Sequence, residues 1–428
     1  GLIITTCWRF AYLGSHARID MLFTFFITLA FVALWELTRN EKQDRWLKWL
    51  AGIAVGLAVL TKGPLGWLFP LLAMFIFSRI SKTGPVPWSY LFWLPLGMAG
   101  LWLAFGLIDG GKEFSTMIYQ ETLGRISGSE TIQIHRKPVF YYIPQILGGM
   151  APWSLFLPFA IWHGMKHRDI PWKFCAIALA TLFIFLSLYP GKRGDYLLPL
   201  YPMGAIILAV FFARFGSANS DINRGMSFPA WIIMGTMMVL ALVLILAALL
   251  PQLNFDSFSA FLNSRDRWMA QLLYDRHRPS GLLLAMGAWG MLIFSQYIRE
   301  ALNKFSGIKM TGLIAGWAFL LFLGIHGPAA RIVNEHTSFR PFAEKIKQVA
   351  GNRPLLNYGK AREDLRYYLD LPVKEVFSGS AFQELSERHN AVLLIKKSQS
   401  QALLENFPEQ KIILEMDAAF KPYQLIGN

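Results

Sequence analysis

Residues 228–250 carry no charged side chain at all, and a run of that kind fits few folds. As a helix rising 1.5 Å per residue it is long enough to cross the ~30 Å hydrocarbon layer of a bilayer. Comparable apolar stretches recur along the chain, approximately at 1–13, 21–37, 47–60, 65–77, 88–108, 141–162, 173–189, 196–213, 281–297 and 309–325. About eleven spans are therefore expected. They must be helical, because a backbone in hydrocarbon has no water to satisfy its polar groups. The stretches 47–60 and 65–77 are short and joined by Lys62-Gly63-Pro64, which predicts a tight helical hairpin or a partly re-entrant pair. Only 16% of the residues are charged, where a soluble protein carries about a quarter. The expectation is a polytopic α-helical membrane protein.

The net charge of +14 is unevenly placed. From Arg331 onward, 14 Lys/Arg face 12 Asp/Glu, so nearly all the excess lies in the membrane part. Alternating the spans puts 14 Lys/Arg in one set of loops and 12 in the other. The positive-inside rule narrowly assigns the first set to the cytoplasm. The opposite face, which includes Arg18, Lys62, 112–137, 192–193 and 265–278, is more basic than topology requires. Anionic head groups or phosphates would account for that surplus. Nucleic acid is disfavoured, since the cations are scattered over loops rather than aligned as a stripe. Cys7 and Cys175 both fall in apolar stretches and suggest neither a disulfide nor a metal framework.

After Gly327 the pattern changes. Residues 342–350 and 381–388 have helical spacing, 391–395 and 411–414 resemble strands, and prolines and glycines punctuate them. The expected organisation is a transmembrane domain over 1–330 and a small C-terminal α/β domain over 331–428, external under this topology. The chain opens at Gly1 inside an apolar segment, with neither Met nor a charged leader. It is read as lacking an N-terminal part.

Several charges at the external ends of spans are candidates for chemistry. Asp20 opens a span. A carboxylate there is favoured by the helix dipole, and it could equally serve as a catalytic or metal-coordinating group. Lys62 sits between two spans, where it is either a snorkelling lysine or a point charge for a lipid phosphate. The loop 109–142 is the longest between spans and carries Glu121, Arg125, His135 and Arg136. Long loops over membrane sites tend to be lids or binding loops, although Glu121 and Arg125 could also be a plain i, i+4 surface pair. A metal role for His135 would need further ligands that the sequence does not locate. The turn Gly191-Lys192-Arg193-Gly194-Asp195-Tyr196 puts paired cations between glycines, suited to wrapping a phosphate or serving as an ordinary charged turn. No Walker A, G-x-S-x-G, HExxH or paired CxxC pattern occurs, so ATP-driven transport and soluble-type hydrolysis find no support.

Taken together, Ala17-Arg18-Ile19-Asp20-Met21, Leu60-Thr61-Lys62-Gly63-Pro64, His135-Arg136-Lys137-Pro138 with Pro152-Trp153, residues 192–202, Arg340-Pro341-Phe342 and residues 358–369 resemble the GT-C-type bacterial membrane glycosyltransferases. The likeness is greatest to lipid A aminoarabinose transferases and the protein O-mannosyltransferase-like family. It implies an inverting transfer from an undecaprenyl-phosphate-linked sugar, foremost 4-amino-4-deoxy-L-arabinose to lipid A, in the bacterial inner membrane with the site and the C-terminal domain periplasmic. Asp20 then matches a catalytic acidic position, and Lys62, Lys192, Arg193 and Tyr196 the donor phosphate contacts. Glu121, Arg125, His135 and Arg136 fall in the acceptor or lid loop. No cofactor is required, and a divalent metal is left open. The family's base in a first periplasmic loop, with about two preceding spans, has no counterpart in the chain, which on this reading is inactive by itself. Two alternatives are the same donor with a protein or other glycan acceptor, and a transporter or flippase of lipid-linked sugars. The latter is disfavoured by the absence of an internal repeat and by charges gathered at one face.

Overall fold

The computed structural model describes residues 1–16, 18–39, 44–81, 85–119, 137–167, 169–189, 191–215, 220–249, 267, 281–351, 353–359, 363–369, 373–377, 391–408, 410–418 and 421–427. The chain divides into two compact units, Gly1–Gln252 with Pro279–Leu323, and Leu253–Arg278 with Gly324–Asn428.

The first unit is helical. Its elements are α1 (Leu2–Thr5), α2 (Trp8–Gly14), α3 (Ile19–Arg39), α4 (Arg45–Lys62), α5 (Leu65–Ser81), α6 (Trp88–Tyr119), α7 (Tyr142–Gly149), α8 (Leu157–His167), α9 (Ile170–Leu188), α10 (Leu200–Ala213), α11 (Ser220–Leu249), α12 (Gly281–Asn303) and the part of α13 (Gly307–Thr337) up to Leu323. Among the described residues five helices are long and apolar enough to cross a membrane, and α5 and α10 are shorter apolar ones. Helix α3 shows how such a helix divides its surface. Phe23, Ile27, Ala30, Phe31 and Leu34 are buried at i, i+3, i+4 spacing, whereas Leu22, Phe25 and Val32 are about half exposed. An apolar face left open in this way is solvated by lipid tails. Trp46, Trp49 and Trp88 are exposed at the starts of α4 and α6, at the level where aromatic side chains anchor a bilayer interface.

Small residues bring the helices together. Helix α4 buries Ala51, Gly52, Ala54, Val55, Gly56 and Ala58, the composition that allows close backbone approach without a hydrophobic driving force. A Cβ on Gly52 would lie 2.6 Å from the Tyr90 carbonyl oxygen of α6, and one on Gly66 would lie 2.3 Å from the Ala58 backbone. The hairpin between α4 and α5 closes through Gly63, whose φ of +67° suits a residue without a Cβ. The sequence pattern anticipated this hairpin.

Three expected features differ. The stretch 1–13 is two short helices: the first ends at Thr5, and the Thr6 hydroxyl bonds the Leu2 carbonyl at 2.6 Å beside the break. The amide of Trp8, freed by the break, bonds the Ala151 carbonyl at 3.2 Å, and the Trp153 indole donates to Thr6 Oγ1 at 3.0 Å. The stretch 141–162 is likewise interrupted between α7 and α8, where Pro152 has no N–H to continue a helix. Lastly α6 runs to Tyr119 rather than ending near 108. It turns at Gly111 (φ +47°), so that Phe114 comes back against Trp102 at 5.4 Å between ring centroids. The expected loop is helix over its first part, and residues 120–136 lie outside the described ones.

The second unit contains α14 (Arg340–Ala350), β1 (Leu355–Tyr358), α15 (Glu363–Leu369), β2 (Val373–Val376), β3 (Val392–Lys396), α16 (Lys397–Asn406), β4 (Lys411–Ala418) and β5 (Lys421–Gly427). The sheet has the order β2-β1-β3-β5-β4, with β2, β1 and β3 parallel and β5 and β4 antiparallel. Strand alternation sends Leu355, Val392, Leu394 and Leu425 to one face, where Phe342, Ala343 and Ile346 of α14 cover them. Leu356, Leu393, Ile395 and Ile426 go to the other, against Leu403 of α16. This is the small α/β domain that the sequence anticipated. The expected helix over 381–388 lies outside the described residues.

Two outcomes follow from this packing. Gly66→Val forces α4 and α5 apart against backbone atoms, and should destabilise by about 1–3 kcal/mol, read as a lower melting temperature in detergent. In the second unit, Glu415 accepts from Lys397 Nζ at 2.5 Å and from Gln424 Nε2 at 2.6 Å. Those bonds hold its carboxyl below the usual range, the Lys397 bond most. Its contribution is therefore present at neutral pH and lost as pH falls through the lowered value. Acid titration of Glu415→Gln should lack that component of the wild-type unfolding curve.

Candidate active site

One end of the helical unit gathers charges that the sequence separates widely. Asp20 is the second residue of α3, where the positive end of the helix dipole favours a carboxylate. Lys62 is the last residue of α4, where the negative end favours a cation. The antiparallel pairing of α3 and α4 therefore brings two complementary helix ends together. Lys62 Nζ forms an ion pair with Asp20 Oδ1. Both side chains are well shielded, at 18% and 11% exposure, so solvent screens this pair far less than a surface one.

Two rings flank the Lys62 ammonium. It stands 4.7 Å from the centroid of Tyr196 and 5.3 Å from that of Phe23, distances at which a ring face attracts a cation. Tyr196 reaches it from a 3-10 turn, Gly194–Leu197, that leads into α10. The preceding residue of that turn, Asp195, accepts from Arg18 Nη1 at 2.9 Å. Arg18 lies just before α3, so the turn is tied to the α3 start at two successive positions.

Lys192 is only 3% exposed. Its ammonium donates to the carbonyls of Tyr189 at 2.6 Å and Lys137 at 3.2 Å, fastening the turn to the strand of chain that enters α7. Arg193, next to it, is exposed. Of the residues expected at the site, the structure thus brings Asp20, Lys62 and Tyr196 into one contact group. It places Lys192 and Arg193 on the adjoining turn, with Lys192 directed at backbone carbonyls. Glu121, Arg125, His135 and Arg136 lie outside the described residues. Among the described residues no three of His, Cys, Asp and Glu converge as metal ligands would.

Sequence reasoning passed over Arg9 and Gln145 and met Tyr142 only at the end of the long loop. Arg9 Nη2 donates to Gln145 Oε1 at 2.6 Å, and Tyr142 is fully buried beside Tyr141. The available signal was Arg9 itself, a charge in the middle of the apolar run 1–13, since an ionisable residue among spans marks a functional position by default.

The arrangement can bind an anion and move a proton. An ammonium has three donors, so Lys62 can hold Asp20 and a second oxygen together. An anion that competes for Lys62 loosens Asp20, leaving a carboxylate able to accept a proton.

Comparisons with known proteins show what the chain resembles. The family model of dolichyl-phosphate-mannose-protein mannosyltransferases matches residues 2–108, the part that holds Asp20 and Lys62. The undecaprenyl phosphate-alpha-4-amino-4-deoxy-L-arabinose arabinosyl transferase of Pseudomonas aeruginosa (strain UCBPP-PA14) is 27% identical over 357 residues, which are 80% of this chain and 59% of that protein. The enzyme of the same name from Erwinia tasmaniensis is 28% identical over 268 residues, 58% of this chain and 45% of its own. The crystal structure of ArnT from Cupriavidus metallidurans bound to undecaprenyl phosphate superposes with a TM-score of 0.70 at 17% identity, over 100% of this chain and 77% of that one. The chain shares the fold of that transferase structure. It spans 59% of the length of the Pseudomonas enzyme. With the GT-C fold, the helices of the first unit make it a multi-pass membrane protein, and the sheet domain is the small C-terminal α/β part.

The ion pair yields a prediction of its own. Lys62→Met leaves the Asp20 carboxylate shielded and unpaired, whereas Asp20→Asn with Lys62→Met removes both charges. The double variant should therefore be more stable than Lys62→Met alone, with a coupling energy of about 1–3 kcal/mol in a denaturation cycle. Strict additivity would mean that the two groups do not interact.

Proposed function

We propose that this chain is the catalytic part of a membrane glycosyltransferase that uses an undecaprenyl-phosphate-linked sugar as donor. The sugar is foremost 4-amino-4-deoxy-L-arabinose and the acceptor lipid A. The observation that carries the reading is the Asp20–Lys62–Tyr196 group at one end of the membrane helices. The names of the relatives support the donor and the sugar.

In this reaction the bond between the anomeric carbon and the donor phosphate oxygen breaks, and a bond from that carbon to an acceptor oxygen forms on the opposite face. The electron pair leaves with the phosphate, which develops charge. On this reading Lys62, with Arg193 of the adjoining turn, stabilises that charge, and a fixed donor of this kind contributes about a hundred-fold or more to turnover. Tyr196 holds the ammonium in position. A hydroxyl acceptor gives its proton to Asp20, while an ionised phosphate acceptor needs orientation more than a base. The prenyl chain has a candidate seat in an apolar groove of about 540 Å³ between α5 and α6, lined by Leu68, Leu72, Phe75, Trp88 and Phe92. In this reading the protein lies in the bacterial inner membrane, with the site and the C-terminal domain facing the periplasm.

The test is mass spectrometry of lipid A from cells lacking the full-length gene, with and without complementation. An aminopentose-sized addition that returns with the wild-type gene is expected. Lys62→Ala should lower it about a hundred-fold, and Arg193→Ala should reduce it as well. An unchanged lipid A profile refutes this acceptor and turns the search to proteins or other glycans. Full activity in both variants refutes the phosphate assignment.

A further inference from the structure

Three successive residues of the 194–196 turn meet three cations from elsewhere in the chain. Tyr196 meets Lys62 and Asp195 meets Arg18. Gly194 meets Arg9, since a Cβ on that glycine would stand 2.0 Å from Arg9 Nη1 and 2.9 Å from Gln145 Oε1. Two of the three cations have a carboxylate, Lys62 from Asp20 and Arg18 from Asp195. Arg9 has only the neutral amide of Gln145, and among the described residues no ion pair includes it. A guanidinium keeps its charge at any ordinary pH. Among the described residues this half-buried guanidinium therefore stands without a counter-charge.

Its surroundings are polar in the same sense. Arg9 Nη1 is buried and makes no hydrogen bond. The hydroxyl of Tyr201, a residue with 0% exposure, is also buried and unbonded. Both side chains lie against Gly149, where a Cβ would stand 2.0 Å from Tyr201 Oη and 3.2 Å from Arg9 Cβ. Buried polar groups are nearly always bonded, and leaving one unmade destabilises. Here Arg9 ends in an unbonded guanidinium nitrogen against Gly194, while the base of its side chain and the unbonded phenol meet at Gly149. A guanidinium fork suits the oxygens of a phosphate, and a hydroxyl can add a further donor.

We propose that Arg9 and Tyr201 form a second anion site, separate from Lys62, that takes a phosphate group. Resting on the transferase reading above, its occupant there is the phosphate of the acceptor lipid. The turn then carries donor and acceptor phosphates at opposite ends, Tyr196 and Gly194, with the neutralised Arg18–Asp195 pair between. Positioning two phosphates on one rigid turn aligns the acceptor oxygen with the breaking bond.

The test uses the full-length protein in detergent, carrying Asp20→Asn with Lys62→Met so that binding at Lys62 is removed. Affinity is read from the thermal shift with a monophosphoryl lipid A, its dephosphorylated counterpart and inorganic phosphate. The phosphorylated lipid should bind and the dephosphorylated one should not. A response to inorganic phosphate as well marks a general phosphate site, and a response to the lipid alone marks one for headgroups; either supports the proposal. Arg9→Gln should weaken binding about ten-fold or more. Gly194→Ala, which keeps the charge but displaces the guanidinium, should weaken it as well, and it carries the test if Arg9→Gln does not fold. Tyr201→Phe separates ligand binding from structure: it removes an unbonded hydroxyl, so the melting temperature without ligand should hold or rise while phosphate affinity falls several-fold. Wild-type affinity in Gly194→Ala and Tyr201→Phe overturns the site. Phosphate binding that depends on Arg9, in a protein that transfers no sugar to lipid A, would refute the transferase reading and leave this site standing.

Discussion

Charge beside hydrocarbon is the constraint around which this molecule is arranged, and the Lys62–Asp20 pair is its centre. Neither residue would be stable alone at that depth, because a shielded charge without a partner is destabilising by several kcal/mol. Each is favoured locally, Asp20 by the start of α3 and Lys62 by the end of α4. The pair can form only if those two helix ends meet. That requires α4 to lie close along α3, and the small residues on α4 permit it. The hairpin turn at Gly63 and the tight contact at Gly66 then fix the height of Lys62. The 194–197 turn completes the group by bringing an aromatic face to the ammonium and a carboxylate to Arg18.

The helices of the membrane unit were legible because hydrocarbon imposes a simple code, a long apolar run with charges only at its ends. The same code explains why 1–13 and 141–162 were misread as continuous spans. Hydropathy registers Thr6 and Pro152 as tolerable residues, whereas the helix breaks beside each. The gap is filled from outside, by Ala151 for Trp8 and by Thr6 for Trp153. Such partners are distant in sequence and invisible to a window. In the second unit α14, β3 and β4 were readable from their periodicity, while β1, β2 and β5 were not. The first two are four-residue strands, too short for alternation to show, and a parallel pairing such as β1 with β3 leaves no turn signal between its members.

The site was legible by residue type and only partly by role. Asp20, Lys62 and Tyr196 stood out as polar groups at span ends, and they do meet. Lys192 stood out for the same reason, yet its ammonium is spent on the Lys137 and Tyr189 carbonyls. A sequence shows that a cation is present but not which oxygens lie within its reach. Arg9 was the reverse case. Its position inside an apolar run looked like noise in a span, and only the break between α1 and α2 shows that the chain there is shaped around polar contacts.

A fold arranged for stability alone gains nothing from a guanidinium that has no carboxylate among the described residues, or from a phenol such as Tyr201 buried and unbonded. Replacing such groups with apolar ones of similar shape is commonly neutral or stabilising. The proposed phosphate would give the polar groups on the Gly194 side of the turn the partner they lack. At the Tyr196 side the charge is already balanced, and an incoming anion must compete with Asp20 for Lys62. One end of the turn is thus poised to bind, and the other to exchange one partner for another. In the proposed reaction, a phosphate that must be held and a phosphate that must leave need that difference.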